Sequence, residues 1–224
     1  MPSYTRSYAA TTPGRALSQD ESKAVLGQTM GLVALTLGFL ALGAYLTRNV
    51  AGGSSFLFFI GGFACIFGLQ FAAARGHEQL AIALLFGLGL LLGMFVGPVL
   101  AYYAKSDPAP LWQAAGATGG FVLATGSYGY ATRRDLSSWA RGLFWALIAL
   151  IVFGLITLFV AIPGGNIIYC LAGLVIFGGF TILDFNRLRR TNLASAPMLA
   201  ASIFLDIFNV FLFFLSLFGG NGRR

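Results

Sequence analysis

Long apolar segments are the feature that most constrains how this chain can fold. Because a bilayer offers no water to the backbone, only helices or closed barrels can span it. Barrel strands would alternate between apolar and polar residues, whereas these segments are continuously apolar and long enough to cross about 30 Å of hydrocarbon as helices. The sequence therefore predicts an all-α polytopic membrane protein with seven transmembrane helices, at residues 24–46, 56–74, 80–104, 111–132, 142–162, 167–185 and 198–218.

The distribution of charge predicts how the chain is oriented in the membrane. Charged residues make up only 9% of the 224 residues, whereas a soluble domain carries about 25%. The net charge of +7 does not indicate nucleic acid, because the basic residues lie at the ends of the apolar segments. With the N-terminus inside, the inner segments carry ten Lys and Arg and the outer segments carry four. The positive-inside rule then predicts a cytoplasmic N-terminus and an outer C-terminus.

The chain divides into a polar tail at residues 1–23, a transmembrane domain at residues 24–219 and a short tail at residues 220–224. The first tail lacks the order of a signal peptide, and we expect it to be flexible and cytoplasmic. In the transmembrane domain, small residues recur every fourth position at Gly89, Gly93 and Gly97, a pattern that lets another helix approach closely. The small and polar fourth segment is expected inside the bundle, and the apolar fifth segment against lipid.

Two carboxylates stand out as candidate functional groups. Of the seven Asp and Glu residues, only Asp184 and Asp206 lie inside apolar segments. A charge at membrane depth costs about 3 kcal/mol or more on insertion scales, and such residues usually face the bundle interior and carry function. The sixth segment leaves the membrane where the seventh enters it, so both carboxylates are expected at similar depth near the inner face. Asn209, three residues after Asp206, shares its helical face.

This pair of carboxylates predicts a site for protons and cations. Two neighbouring carboxylates in a low dielectric cannot both ionise cheaply, so we expect them to titrate as a unit. Calcium prefers oxygen ligands, but two carboxylates fall short of its usual shell, which favours a transient calcium site at Asp184 and Asp206 over a resident cofactor. Arg75 ends the second segment on the same side and could neutralise the pair as a latch, or it could be an ordinary inner arginine.

Other interpretations of the pair remain open at this point. Asp184 could simply pair with Arg187 at the membrane surface, and Asp206 could bond a neighbouring polar group. An intramembrane aspartyl protease is disfavoured, because neither aspartate lies in the Gly-x-Gly-Asp or Tyr-Asp setting of those enzymes. The sequence also lacks a nucleophile–histidine set and a phosphate-binding loop, so we do not expect an enzyme.

Four motifs resemble the Bax inhibitor-1 family, also called the transmembrane BAX inhibitor motif family, and its bacterial YccA-like branch most closely. They lie at residues 97–103 (GPVLAYY), 130–137 (YATRRDLS), 182–186 (ILDFN) and 202–211 (SIFLDIFNVF). The resemblance implies a seven-helix fold with the last helix central. It also implies a pH-sensitive calcium leak in members that keep two aspartates, which match Asp184 and Asp206. Arg75 matches an arginine that pairs with an aspartate in family members.

The same resemblance implies an alternative function. Proteins of the YccA-like branch are associated with binding and restraining the membrane-anchored FtsH protease, and some of them replace the aspartates that this chain keeps. The chain could thus be an interaction protein that modulates an FtsH-type protease, with residues 1–23 as the handle for that partner. The expected partners are the lipid bilayer, calcium ions and this protease. The bacterial likeness implies the inner membrane.

Overall fold

The computed structural model describes residues 19–50, 55–191 and 193–220, and this part of the chain is helical, with no strand. Its seven long helices are α1 (Gln19–Leu46), α2 (Ser55–Ala74), α3 (Glu78–Ser106), α4 (Ala109–Ala131), α5 (Trp139–Phe159), α6 (Gly165–Leu188) and α7 (Ala196–Gly220). A 3-10 turn, Leu193–Ser195, precedes α7. The inner end of the bundle is defined here as the end at which α1 begins.

The tails fall mostly outside the described residues. Because α1 begins at Gln19, residues 19–23 of the predicted N-terminal tail belong to a helix. Residues 1–18, which hold most of the predicted handle for a protease, lie outside the described part of the chain. Residues 221–224 of the predicted C-terminal tail also lie outside it.

Six of the seven helices are long and apolar enough to cross a membrane. The exception is α4, which has 23 residues but is interrupted by small and polar side chains. This helix corresponds to the segment that the sequence marks as the least hydrophobic. The prediction of an all-α polytopic membrane protein is confirmed.

The helices form two groups of three, with α7 between them. In one group α3 packs against α1 and α2, and in the other α6 packs against α4 and α5. Helix α7 contacts both groups, and more than half of its apolar window is buried, a larger share than in any other candidate span. The expectation of a central last helix is therefore confirmed.

Close contact between α1 and α3 depends on the predicted glycine stripe. Gly89, Gly93 and Gly97 lie directly against the backbone of α1, where a Cβ would collide with Thr36, Leu40 and Ala44 respectively. The pattern in α3 predicted a close helix approach, and the structure identifies α1 as the partner. Such contacts let two backbones pack without intervening side chains, which makes α1 and α3 a rigid pair.

The outer helices of the second group differ in how they meet the lipid. In α5 Leu150 is the one buried residue, and the exposed apolar surface of the rest of this helix agrees with the expected position against lipid. The expectation that α4 lies wholly inside the bundle is wrong for one of its faces. Ala114 and Gly129 are buried against the bundle, but Gln113, Gly116 and Ser127 are exposed. The polar composition of α4 could not predict that α6 and α7 cover only one side of this helix.

We expect Gly93→Ala to destabilise the bundle by about 1–3 kcal/mol, the usual effect of overpacking. The new methyl group would meet the carbonyl of Leu40, so the two backbones would have to separate. The measurement is thermal or denaturant unfolding in a mild detergent.

Gly87→Ala is the matched control in the same helix. Its Cβ would meet only the Cys65 sulfur at 3.5 Å, an ordinary contact. Alanine is the better helix former by about 1 kcal/mol, so this variant should be as stable as the wild type or slightly more stable. Equal effects of the two substitutions would contradict a tight α1–α3 contact.

Candidate functional site

The two predicted carboxylates lie on neighbouring helices, where α6 ends and α7 begins. Asp184 is in the last turns of α6, and Asp206 is ten residues into α7, about 15 Å from its start at 1.5 Å per residue. Both side chains are buried, with 1% of Asp184 and 4% of Asp206 exposed. Both helices also carry bulky apolar residues that pack in the centre of the bundle. Burial of these residues buries the two carboxylates as well.

Asp184 has partners on both helices. Its Oδ1 accepts a hydrogen bond from Arg187 at 3.2 Å, in an ion pair one turn along α6. Its Oδ2 accepts a short hydrogen bond from the hydroxyl of Ser202 in α7. The predicted pairing of Asp184 with Arg187 is confirmed. The bond to Ser202, which is half-buried, adds a polar connection between α6 and α7.

Asp206 is placed differently. Its Oδ2 is buried and has no hydrogen-bond partner among the described residues. Two residues away on either side along α7, Phe204 and Phe208 are buried and apolar. Asp184 and Arg187 are close enough for their charges to act on it. A buried acceptor without a partner costs about 1–3 kcal/mol, and more when it is charged, so this oxygen favours a proton or a cation.

Ser202 bonds one of the two carboxylates and shares a helical face with the other. It lies four residues before Asp206 in α7, on the same helical face, and donates to Asp184. Within residues 19–50, 55–191 and 193–220 no hydrogen bond joins Asp184 to Asp206. The polar groups thus run from Arg187 through Asp184 and Ser202 toward the buried carboxyl of Asp206.

The other two predicted site residues lie apart from this series. The side-chain amide of Asn209 donates to the carbonyl of Leu205 at 2.7 Å, within its own helix. Arg75 is exposed, and its guanidinium lies 3.8 Å from the centre of the Phe71 ring. The structure thus does not bring Arg75 to the aspartates in this conformation, and its role as a latch stays a prediction.

Sequence reasoning missed Ser202 as a site residue. A serine in an apolar helix is common and usually bonds its own backbone, so its type carries little information. The available signal was its spacing, one turn from Asp206 and on the same face. Its partner on α6 could not be predicted from spacing alone, since it depends on how α6 and α7 pack.

Beside the carboxylates, Asn186 fastens the loop between α4 and α5 to the end of α6. Its side chain is 2% exposed, and its amide nitrogen lies 3.3, 2.8 and 3.2 Å from the carbonyls of Gly129, Thr132 and Arg134. Its Oδ1 also accepts from the N–H of Leu136 at 3.5 Å. These bonds hold the loop on α6, and with it the inner end of α4.

Basic residues that follow α6 strengthen this attachment. Arg189 donates to the carbonyl of Tyr130 at 3.2 Å, and Arg190 forms an ion pair with Asp135 at 3.0 Å. The hydroxyl and backbone N–H of Ser137 also donate to Asp135, at 2.5 and 2.9 Å. These hydrogen bonds, followed by the charge of Arg190, hold the pKa of Asp135 below its ordinary value.

The site offers few ligands to a metal. No group of three or more His, Cys, Asp or Glu side chains that could hold a metal ion occurs among the described residues. Asp184, Asp206 and the hydroxyl of Ser202 supply oxygen atoms, whereas calcium takes about 6–8. The chemistry of this set suits a weakly held cation that keeps much of its water.

Comparisons with known proteins point to one family. The model of the family described as inhibitor of apoptosis-promoting Bax1 matches residues 22–223. An uncharacterized membrane protein of Vibrio cholerae serotype O1 is 30% identical over 205 residues, which cover 89% of this chain and 90% of that protein. An uncharacterized protein of Helicobacter pylori (strain ATCC 700392 / 26695) is 30% identical over 164 residues, covering 73% and 70%. One of Caulobacter vibrioides is 32% identical over 162 residues, covering 67% and 63%.

We expect Asn186→Ala to loosen the loop between α4 and α5. The substitution leaves the buried carbonyl of Gly129 and its neighbours without their donor, at a cost of about 1–3 kcal/mol. Faster amide hydrogen exchange at residues 132–138 would report the change. Asn166→Ala, on an exposed asparagine at the other end of α6, is the control and should leave exchange in that loop unchanged. If amide exchange at residues 132–138 stayed slow in both variants, Asn186 would not be what holds the loop on α6.

The hydrogen bonds from Ser137 to Asp135, together with its ion pair to Arg190, should make a pH-dependent contribution to stability. Because the folded state lowers the pKa of this carboxyl, its contribution is present above the ordinary pKa and is lost as the pH falls through the lowered value. Asp135→Asn should therefore lower the unfolding temperature at about pH 7 by a small amount, since the pair is exposed and screened. The difference from the wild type should shrink as the pH falls below the ordinary pKa of an aspartate, about 3.9, and vanish only below the lowered value.

Unfolding curves in detergent at several pH values would measure this difference. Asp107→Asn removes another exposed carboxylate, at the opposite end of the bundle and in no ion pair among the described residues. For that control, the difference in unfolding temperature from the wild type should not show the pH dependence expected for Asp135→Asn. A difference for Asp135→Asn that persists at low pH would be inconsistent with the ion pair as its cause.

Proposed function

We propose that this chain, which belongs to the Bax inhibitor-1 family, is a pH-sensitive leak channel for calcium that Asp184 and Asp206 gate. The observation that carries the proposal is the buried Oδ2 of Asp206, which has no hydrogen-bond partner among the described residues. A buried carboxyl with an open acceptor binds a proton or a cation more readily than one whose oxygens are all satisfied. Its neighbour Asp184 connects it to the packing of α6 and α7.

The conformation described here supports a closed state. Asp206 is 4% exposed, so water and hydrated ions do not reach it in quantity. A buried cluster that includes Phe204, Phe208 and Leu88 packs another face of α7 against α3. Near the inner end, α6 and α7 are joined by the bond from Ser202 to Asp184. Opening would have to separate these helices near that bond.

Protonation of Asp184 supplies a way to separate them. A neutral carboxyl attracts Arg187 less, and it accepts a weaker hydrogen bond from Ser202 than a carboxylate does. Arg187 is half exposed and can turn into water once its partner is neutral. Arg187 on its own helix is the charged partner of Asp184, and Asp206 on α7 lies close enough to interact with it electrostatically. A lower pH would therefore shift the population from closed toward open.

In the open state the two carboxylates would serve as a transient site for the permeating ion. Calcium favours carboxylate and hydroxyl oxygens, which Asp184, Asp206 and Ser202 supply on one pathway. Because a proton and a calcium ion compete for the same oxygens, the flux should depend on both concentrations. Arg75 would enter this scheme only if opening moved α2 toward the pair, since its guanidinium lies over Phe71 in the closed conformation.

The orientation in the membrane follows from the same arrangement. The basic residues Arg187, Arg189 and Arg190 lie at the inner end of the bundle, together with Arg133 and Arg134. We infer from the positive-inside rule that this end is cytoplasmic and that the N-terminus lies there. The bacterial relatives support the inner membrane as the location. The gate would then respond to cytoplasmic pH.

Calcium flux into dye-loaded proteoliposomes between about pH 5 and 8 tests the proposal. Wild-type flux should rise as the pH falls. Asp184→Asn imitates the protonated state and should leak at every pH, whereas Asp206→Asn should lower the flux and change its pH dependence. Ser202→Ala removes a hydrogen bond to a charged group, worth about 1.5–3 kcal/mol, and should raise the flux at neutral pH about tenfold or more.

Asp107→Asn is the control, because it removes a carboxylate that is exposed and lies far along the sequence from both helices. It should keep the wild-type profile. Two results would contradict the proposal. One is a folded, inserted wild type that passes no calcium at any pH. The other is a leak whose pH dependence is the same in the wild type, Asp184→Asn and Asp206→Asn.

A further inference from the structure

An apolar crevice of about 460 Å³ lies between the two groups of helices. Thr118 has the one hydroxyl among the residues that line it, and that hydroxyl already donates to the carbonyl of Ala114 at 2.7 Å. The crevice therefore suits hydrocarbon and has little to offer a polar ligand. Its walls come from α1, α3, α4 and α7 and include Leu37, Leu40, Leu100, Val122 and Phe211.

The crevice exists because α3 and α4 hardly touch. Helix α3 packs on α1 and α2, whereas α4 packs on α6 and α7. Gly119 of α4 lines the gap, and a Cβ at this position would meet no atom within 4 Å. The gap is consequently open toward the lipid, and a molecule could enter it without separating helices.

A basic hollow adjoins the crevice near the outer ends of α1 and α3. It measures about 500 Å³, shares Leu100 with the crevice, and is lined by Arg48, Asn49 and Lys105 among others. Neither Arg48 nor Lys105 forms an ion pair with any carboxylate in the described ranges. Arg48 instead lies 4.0 Å from the centre of the Tyr45 ring. Two uncompensated cations thus stand at the mouth of an apolar gap.

The depth of the crevice matches one leaflet of a bilayer. Leu37 lies nine residues before the end of α1 at Leu46, or about 14 Å at 1.5 Å per residue, and Arg48 follows in the turn. The hydrocarbon of one leaflet is about 15 Å deep, half of the usual 30 Å. A headgroup held at Arg48 would therefore place the end of its acyl chain near the bottom of the crevice.

We propose that this gap binds one anionic phospholipid. Its phosphate lies against Arg48 and Lys105, and one of its acyl chains fills the crevice beside Gly119. Basic residues at a membrane surface attract anionic lipid headgroups, and the apolar walls replace the neighbouring lipid tails. A second copy of this chain fits less well, because a symmetric contact would bring Arg48 and Lys105 of both copies together. This site does not depend on the proposed leak.

Native mass spectrometry of the full chain in detergent tests the site. Phosphatidylglycerol and phosphatidylcholine with identical acyl chains are the probes. The wild type should retain one phosphatidylglycerol in preference to phosphatidylcholine, by about 5-fold for each of the two cations. Replacing both cations, Arg48→Gln with Lys105→Gln, should bring the two lipids to nearly equal retention.

Gly119→Leu tests the acyl chain separately from the headgroup. Leucine favours helices over glycine and has free space at this position, so the protein should fold with the crevice filled. Retention of phosphatidylglycerol should fall about tenfold or more, because burial of a few CH₂ groups corresponds to such a factor. Gly116→Leu lies one turn away, also in free space but outside the lining of the crevice, and should bind lipid like the wild type.

Three results would overturn the proposal. One is equal retention of the two lipids by the wild type, and another is normal phosphatidylglycerol binding by Gly119→Leu. The third is a dimer of the wild type that Gly119→Leu dissociates while lipid retention stays the same, since the crevice would then be a contact between protein chains.

Discussion

As long as it is charged, Asp184 must keep its partners, because a buried carboxylate that loses a counter-charge or a hydrogen bond is strongly destabilising. One partner, Arg187, comes from its own helix, and the other, Ser202, comes from α7. The packing of α6 against α7 at the inner end therefore depends on whether one carboxyl group is charged or protonated. Since α7 also contacts the first group of helices, a change at this bond reaches both halves of the molecule.

The two groups of helices, α1–α3 and α4–α6, are held together by different contacts. Backbone contact at Gly89, Gly93 and Gly97 makes α1 and α3 a rigid pair. Asn186 binds the α4–α5 loop to α6, so α4 and α6 are expected to move together. Between the halves, α3 and α4 leave an open gap. Helix α7 is consequently the main connection between the two halves.

The sequence located Asp184 and Asp206 but not all of their partners. A charge in an apolar segment is visible without a fold, because the cost of burying it depends on the segment alone. Arg187 could be foreseen as well, since helix geometry places residues three apart on one face. Ser202 escaped notice because its partner lies on another helix. For Arg75 the sequence suggested a partner that the structure does not show. A long side chain at the end of a helix can adopt many orientations, and the guanidinium of Arg75 lies over the Phe71 ring.

The sequence by itself determined the long apolar segments and the two carboxylates that lie inside them, because bilayer thickness and the rise of a helix act on each segment alone. It also predicted that α3 would meet another helix closely. Only the tertiary structure decided that this helix is α1, that α4 leaves Gly119 facing a gap, and that α7 brings Ser202 to Asp184. These choices depend on packing between residues far apart in the chain, where many weak contacts compete and no local pattern determines the result.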